Sequence, residues 1–201
     1  MTALKKPVLA AFDFDGTISK TDTFLPFLIR VCGRWRVAQA LLFLAGAGIQ
    51  VGLGRLHRDQ FKVKLIAYLF TNTPQTQLQQ LGAQHAQRVF TTQLRPAALA
   101  RIAWHRSRGD RLILISASLD VYLRDLATQL GFNELLCTQL AMRDGCCVGQ
   151  FVGVNCRGAE KVRQLELLCG DLSAYEIYAY GDSDGDRELL AIADVPHYRP
   201  F

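Results

Sequence analysis

Acidic residues are nearly missing from one long stretch of this 201-residue chain: between Thr23 and Gly109 the only one is Asp59, against twelve arginines and lysines. That stretch carries a net +11, and because the whole chain carries +5 the remainder carries −6. Segregation of this size speaks of partners rather than of fold: one region attracts anions, and the other can hold metal cations. C-x-x-C pairs are also missing. The six cysteines, at positions 32, 137, 146, 147, 156 and 169, are scattered, which excludes a zinc site of that pattern and a dense secreted disulfide framework, and fits reduced thiols in a cytoplasmic protein. The N-terminal "MTALKKPVLAAFDFD" runs straight into acid without a small-residue cleavage site, so a secretory signal is not expected. There is no internal repeat or low-complexity tract. No recognisable nucleic-acid motif accompanies the basic stretch, which makes a non-catalytic nucleic-acid-binding module the weakest reading of it.

What is present is a chain with 50% hydrophobic residues, long enough for one sizeable core or a core with a smaller insertion. "PVLAAFDFD" reads as a strand buried on both faces that ends in acid. "RLILISAS" (111 to 118) and "EIYAYGDSDGD" (176 to 186) repeat the pattern. Between these two lie "DVYLRDLATQLGF", a helix stopping at Gly131, and "EKVRQLELLCG", a helix stopping at Gly170. Strands alternating with helices predict a parallel α/β sheet, and Asp144-Gly145 predicts a β-hairpin in "LAMRDGCCVGQF". From about Asp22 to Thr92 the pattern is helical, a helical insertion between the first two strands.

In an open parallel sheet, ligands bind beyond the carboxyl ends of the strands. Asp13 and Asp15 end the first strand, Ser116 ends the second, Asp182, Asp184 and Asp186 follow the third, and Lys161 starts the helix before it. Carboxylates from two strand ends offer hard oxygen ligands to Mg2+. With a metal and a lysine to lower the repulsion between anions, a carboxylate can attack phosphorus and form an aspartyl-phosphate. A second carboxylate two residues on points to the same side and can protonate a leaving oxygen, then deprotonate water. Gly16 permits a sharp turn, and Thr17 and Ser116 offer hydroxyls to phosphoryl oxygens.

"DFDGT", Ser116 after an apolar strand, Lys161 in "GAEK", and "GDSDGD" resemble, in order, the four motifs of the haloacid dehalogenase-like hydrolases. The helical insertion directly after the first motif is similar to their subfamily IB, which includes phosphoserine phosphatase. The resemblance implies an α/β fold with a Rossmann-like parallel-sheet core (1–21 and 93–201) and an inserted helical cap (22–92). It implies a Mg2+-dependent phosphatase in which Asp13 is the nucleophile, Asp15 the acid/base, and Thr17, Ser116 and Lys161 hold phosphate. Asp13, the Asp15 carbonyl and Asp182 are the implied metal ligands, with Gly16 and Asp186 in support.

Two positions depart from phosphoserine phosphatase: Asp22 stands where that enzyme has glutamate, and Gly185 where it has asparagine. "GTISKTDTFLPFL", "GAEKVRQLE" and the apolar, basic insertion look like the branch containing phosphatidylglycerophosphatase C. The stretch 37–54 has no charge but two glutamines and four glycines, at the edge of what can span a bilayer. Two roles compete for it: a helix packed inside the cap, or one lying on an anionic membrane. The expected substrate is an anionic lipid phosphate such as phosphatidylglycerophosphate, with phosphoserine or another small phosphomonoester as the rival. The expected place is the cytoplasm, in peripheral contact with the inner face of the membrane.

Overall fold

A computed structural model describes residues 6–52 and 58–201. Six strands form one sheet in the order β4-β3-β2-β1-β5-β6. They are β1 (Val8–Phe12), β2 (Arg111–Leu119), β3 (Glu134–Arg143), β4 (Cys146–Val152), β5 (Glu176–Gly181) and β6 (Val195–Tyr198). All neighbours are parallel except the β3–β4 pair. The fold is thus the expected α/β class with a Rossmann-like core.

β1, "VLAAF", is buried at every position, because the sheet is covered on both sides. Its pleat divides the core: Ala10 and Phe12 pack with Leu112 and Leu114 of β2 in one apolar cluster, while Leu9 and Ala11 pack with Ile113 and Ile115 in the other. The first cluster takes in Ala98 and Ile102 of α6 (Pro96–Ser107) and Leu123 and Leu126 of α7 (Asp120–Leu130). The second takes in Leu165 of α8 (Ala159–Cys169) and Leu189 of α9 (Arg187–Ala191). Alternate side chains of one strand therefore serve opposite helix layers.

Among the described residues, five further α-helices lie between β1 and β2: α1 (Phe24–Cys32), α2 (Arg34–Phe43), α3 (Ala45–Gly52), α4 (Arg58–Phe70) and α5 (Gln75–Thr92). The chain leaves the sheet and returns to it side by side, with Lys20 N–H donating to the Gln93 carbonyl at 2.8 Å and Arg95 N–H to the Ile18 carbonyl at 2.9 Å. α5 approaches α7 so closely at Gly82 that a Cβ there would overlap the Val121 carbonyl.

The Gly131 stop is confirmed, left-handed at φ +74°. The hairpin turn is where expected, with Asp144 and Gly145 both at positive φ. One strand and half of another escape the sequence reading: β6, four residues at the edge, and residues 134–138 of β3, which join the parallel sheet beside β2, whereas the rest of β3 is the first strand of the expected hairpin. The 37–54 stretch is not one helix. It breaks at Leu44 between α2 and α3, and residues 53 and 54, like Arg55, lie outside the described residues. No helix among the described residues is long and apolar enough to cross a membrane.

Candidate active site

The strand ends converge on a cavity of about 360 Å³ lined by Asp13, Asp15, Gly16, Ser116, Lys161, Asp182 and Asp186. Its other wall comes from the helices before β2, through Phe24, Arg58, Asp59 and Lys62. Seven of the eight residues singled out in the sequence thus share one cavity. The eighth, Thr17, is buried and its hydroxyl lies 3.5 Å from Asp182 Oδ1.

Lys161 is 1% exposed, and its ammonium donates to Asp13 Oδ1 and to Asp186 Oδ1, each at 2.6 Å. Burial pulls the ammonium toward neutrality, but the facing carboxylates of Asp13 and Asp186 more than reverse this and hold it above the ordinary lysine value. Asp13 is pushed toward its neutral form: burial raises its carboxyl to about 7 despite the pull of Lys161. The second oxygen of Asp186 accepts from the Ser183 N–H at 3.1 Å and the Ser183 hydroxyl at 2.9 Å. These bonds and Lys161 hold the Asp186 carboxyl below its usual value against the effect of burial. Asp186 is therefore committed to organising the loop and the lysine.

Ligand oxygens of Asp13, Asp182 and Asp186 lie within 4.8 Å of one another. When all three are ionised, three carboxylates against one ammonium leave a deficit of two positive charges, which suits a divalent cation. With Asp186 engaged, Asp13 and Asp182 are the carboxylates that fit such an ion. At Gly16 the backbone turns at φ +79°, and a Cβ there would overlap Asp182 Oδ2, so only glycine lets this loop press against that carboxylate. The donor set and the cradle both fit Mg2+.

Asp15 has partners that the sequence reading missed. Its Oδ1 accepts from the Thr23 N–H at 2.7 Å and the Thr23 hydroxyl at 2.6 Å, and its Oδ2 accepts from the Ser118 hydroxyl. Thr23 in turn meets the Tyr122 hydroxyl at 3.2 Å and gives its carbonyl to His85 Nε2 at 3.0 Å. Burial first, and Asp22 second, raise the Asp15 carboxyl above its ordinary value, which favours the protonated form needed by a general acid.

Lys62 was also missed. It reaches from α4 to donate to the Ala117 carbonyl at 2.5 Å and Asn155 Oδ1 at 3.0 Å, and burial lowers its ammonium to about 8. Asn155 also donates to Asp59 Oδ1 at 2.6 Å. Arg157 packs against Gly185, where a Cβ would come within 2.9 Å of its Nε. Asp184 is exposed, and Asp22 lines the cavity while accepting from the Leu25 N–H at 3.0 Å.

A family model for haloacid dehalogenase-like hydrolases matches residues 10–191. Protein CicA of Caulobacter vibrioides is 35% identical over 201 residues, spanning 98% of this chain and 87% of that protein. Among solved structures, a protein of unknown function from Bordetella pertussis Tohama I shares the fold with a TM-score of 0.80 at 22% identity, over 96% of this chain and 89% of that one. A substrate-bound phosphoserine phosphatase complex does so with a TM-score of 0.64 at 17% identity, over 98% and 86%.

Proposed function

The chain belongs to the haloacid dehalogenase-like hydrolases, and on that premise we propose that it is a Mg2+-dependent phosphomonoester hydrolase acting through an aspartyl-phosphate on Asp13. The observation that carries the reading is the buried Lys161 ammonium fixed between Asp13 and Asp186, with Asp182 beside them and Asp15 at the same mouth. A lysine so placed holds a nucleophilic carboxylate in position and offers positive charge to an arriving phosphoryl group.

In the first step a carboxylate oxygen of Asp13 attacks phosphorus, the bond to the ester oxygen breaks, and Asp15 gives its proton to that leaving oxygen. In the second, water loses a proton to Asp15 and attacks the same phosphorus, releasing phosphate and the Asp13 carboxylate. Thr23 and Ser118 hold Asp15 at one orientation for both transfers, and Ser116 offers its hydroxyl to the phosphoryl oxygens. Thr17, whose hydroxyl lies 3.5 Å from Asp182 Oδ1, is assigned to the phosphoryl oxygens alongside Ser116. Asp13, Asp182 and the Asp15 carbonyl would hold Mg2+, which when bound supplies charge neutralisation to the phosphoryl oxygens.

The helices of 22–92 form, in this reading, a cap over the core of 1–21 and 93–201, as in subfamily IB. The side-by-side crossing at residues 18–20 and 93–95 and the Lys62 contact to the strand-end loops support it. The substrate we assign is an anionic lipid phosphate such as phosphatidylglycerophosphate, as in the branch containing phosphatidylglycerophosphatase C. Beyond the catalytic carboxylates the cavity is lined by Arg58, Lys62 and Arg157 against Asp22 and Asp59, a net positive wall, and this suits a second negative group on the alcohol half. Phosphoserine is the competing substrate. Such an enzyme works in the cytoplasm, against the inner face of the membrane.

Phosphate release from a panel of lipid and soluble phosphomonoesters tests the proposal. Turnover is expected with Mg2+, inhibition with Ca2+, and a higher kcat/KM for the lipid in mixed micelles than for phosphoserine. Full activity in excess chelator refutes the metal, and a preference for phosphoserine refutes the lipid.

A further inference from the structure

We propose that the outer face of α2 and α3 is a docking surface for an anionic lipid bilayer. The inference rests on the lipid-phosphate reading for its purpose and on the surface itself for its physics. Trp35, Leu42 and Ile49 recur every seven residues, and because the Leu44 N–H still donates to the Ala40 carbonyl and the Gly48 N–H to the Leu44 carbonyl, both at 2.9 Å, the helical phase carries through Leu44 and the three fall near one line. They are 79%, 77% and 63% exposed. Ala38 and Ala45, about 60° to one side of that line, are exposed as well, and Gln39, to its other side, is the exposed polar residue nearest it in α2. Phe43 is 73% exposed, and its only ring contact among the described residues is Tyr68, itself 40% exposed. The opposite side of the same helices does the packing, through buried Val37 and Ala40 and through Leu44 against the core. A helix packed on one side and facing water on the other would carry polar residues along the outer line. This one carries a tryptophan, a leucine and an isoleucine.

The charge around the patch selects its occupant. Arg34 and Arg36 flank Trp35 and are exposed, as are Arg58 and Lys64 on the adjacent α4. The four helices α1–α4 contain one acid, Asp59, and its carboxylate already accepts from Asn155. A second copy docked through this face would bring arginines against arginines, whereas an anionic bilayer offers counter-charge to the basic residues and an apolar interior to the stripe. Tryptophan suits the boundary between the two. Among the described residues, α2 and α3 are too short and interrupted to span, so the stripe lies along the surface. The position fits the site. Gly48 of α3 sits against Phe61 of α4, and Arg58 and Lys62, within one turn of Phe61, line the cavity. Docking by this face brings the helix that lines the cavity, α4, close to the bilayer surface.

The test uses the full chain and two vesicle types, phosphatidylcholine alone and phosphatidylcholine mixed with phosphatidylglycerol. Trp35 and Trp104 are the two tryptophans, so W104F leaves Trp35 as the reporter. Expected are a blue shift of Trp35 emission and co-sedimentation with the mixed vesicles. Replacing Trp35, Leu42 and Ile49 together by Gln should weaken that binding at least about tenfold, and R34Q with R36Q should weaken it by up to about fivefold per charge. Hydrolysis of a soluble aryl phosphate should stay within about twofold of wild type in each variant, because none of these residues lines the cavity. An unshifted emission with no co-sedimentation overturns the proposal, and so does equal binding to both vesicle types. So does a dimer in sedimentation equilibrium that the triple variant abolishes. Failure on vesicles with aryl phosphatase activity intact removes the docking surface alone, while vesicle binding without any phosphatase activity removes the catalytic reading alone.

Discussion

Replacing Lys161 by methionine keeps the length of the side chain and removes its charge, which isolates the electrostatic part of the site. In the wild type one buried ammonium serves Asp13 and Asp186 at 2.6 Å each. Without it, two carboxylates that are 6% and 1% exposed face each other with no cation. Breaking a buried ion pair by removing one partner costs about 3–5 kcal/mol, because the remaining charge is buried and unpaired. The protein can evade that cost only by protonating the carboxylates. In the variant, the Asp13 carboxyl, already raised by burial in the wild type, rises further, and the Asp186 carboxyl, no longer held down by Lys161, rises above the unfolded value near 3.8 as well. A raised carboxyl contributes stability that is present below the unfolded pKa and is lost as pH rises through the folded one. The K161M penalty should accordingly be small near pH 4.5 and reach several kcal/mol by about pH 8. Urea unfolding in excess chelator at the two pH values, compared with wild type, measures it. A penalty equal at both pH values, or below about 1 kcal/mol at pH 8, would refute the claim that Lys161 neutralises this cluster.

Asp15→Asn should preserve the fold while slowing turnover by about 100-fold or more with an alkyl phosphate and much less with a nitrophenyl phosphate, whose leaving group needs no proton; equal losses on both would remove the acid role. Gly82→Ala should lower stability by about 1–3 kcal/mol in urea unfolding, because its Cβ would overlap the Val121 backbone and push α5 off α7; a neutral result would contradict that close approach. His85 is lowered to about 4, chiefly by burial, with Arg30 and Arg88 also lowering it against the Thr23 hydrogen bond. A histidine depressed in the fold is neutral there, so its contribution is intact above pH 6.5 and is lost as pH falls from 6.5 towards 4. The stability of wild type relative to H85Q should therefore decline over that window, and parallel pH profiles would show that His85 does not titrate this way.

The parts of the molecule legible in the sequence are those where local pattern and chemistry coincide. β1 is apolar at every position because both faces are covered, and its acid ending marks the carboxyl edge of the sheet. Asp144-Gly145 declares its turn through the positive φ that both residues adopt. β6 was hidden because it is four residues long and contains Pro196, which reads as a break although an edge strand tolerates it. The first half of β3, residues 134–138, was hidden because its burial is partial and irregular, so neither alternation nor a continuous apolar run stands out. The helix break at Leu44 lies inside an uncharged run without proline. In the site, Lys161 was found through the order of motifs, whereas Ser118 meets Asp15 across 103 residues and Lys62 meets Asn155 across 93. Only the folded chain brings such pairs together.

The most direct test of the account is to catch the covalent step. Enzyme quenched in acid during turnover with Mg2+, then treated with borohydride to reduce any aspartyl-phosphate to homoserine, should show homoserine at position 13 by peptide sequencing in a mass spectrometer. The Asp13→Asn variant should show no such product and no turnover, a loss of several orders of magnitude as expected when a nucleophile is removed. Homoserine at position 15 instead of 13, or an Asp13→Asn variant that retains more than about a tenth of wild-type activity, would contradict the account.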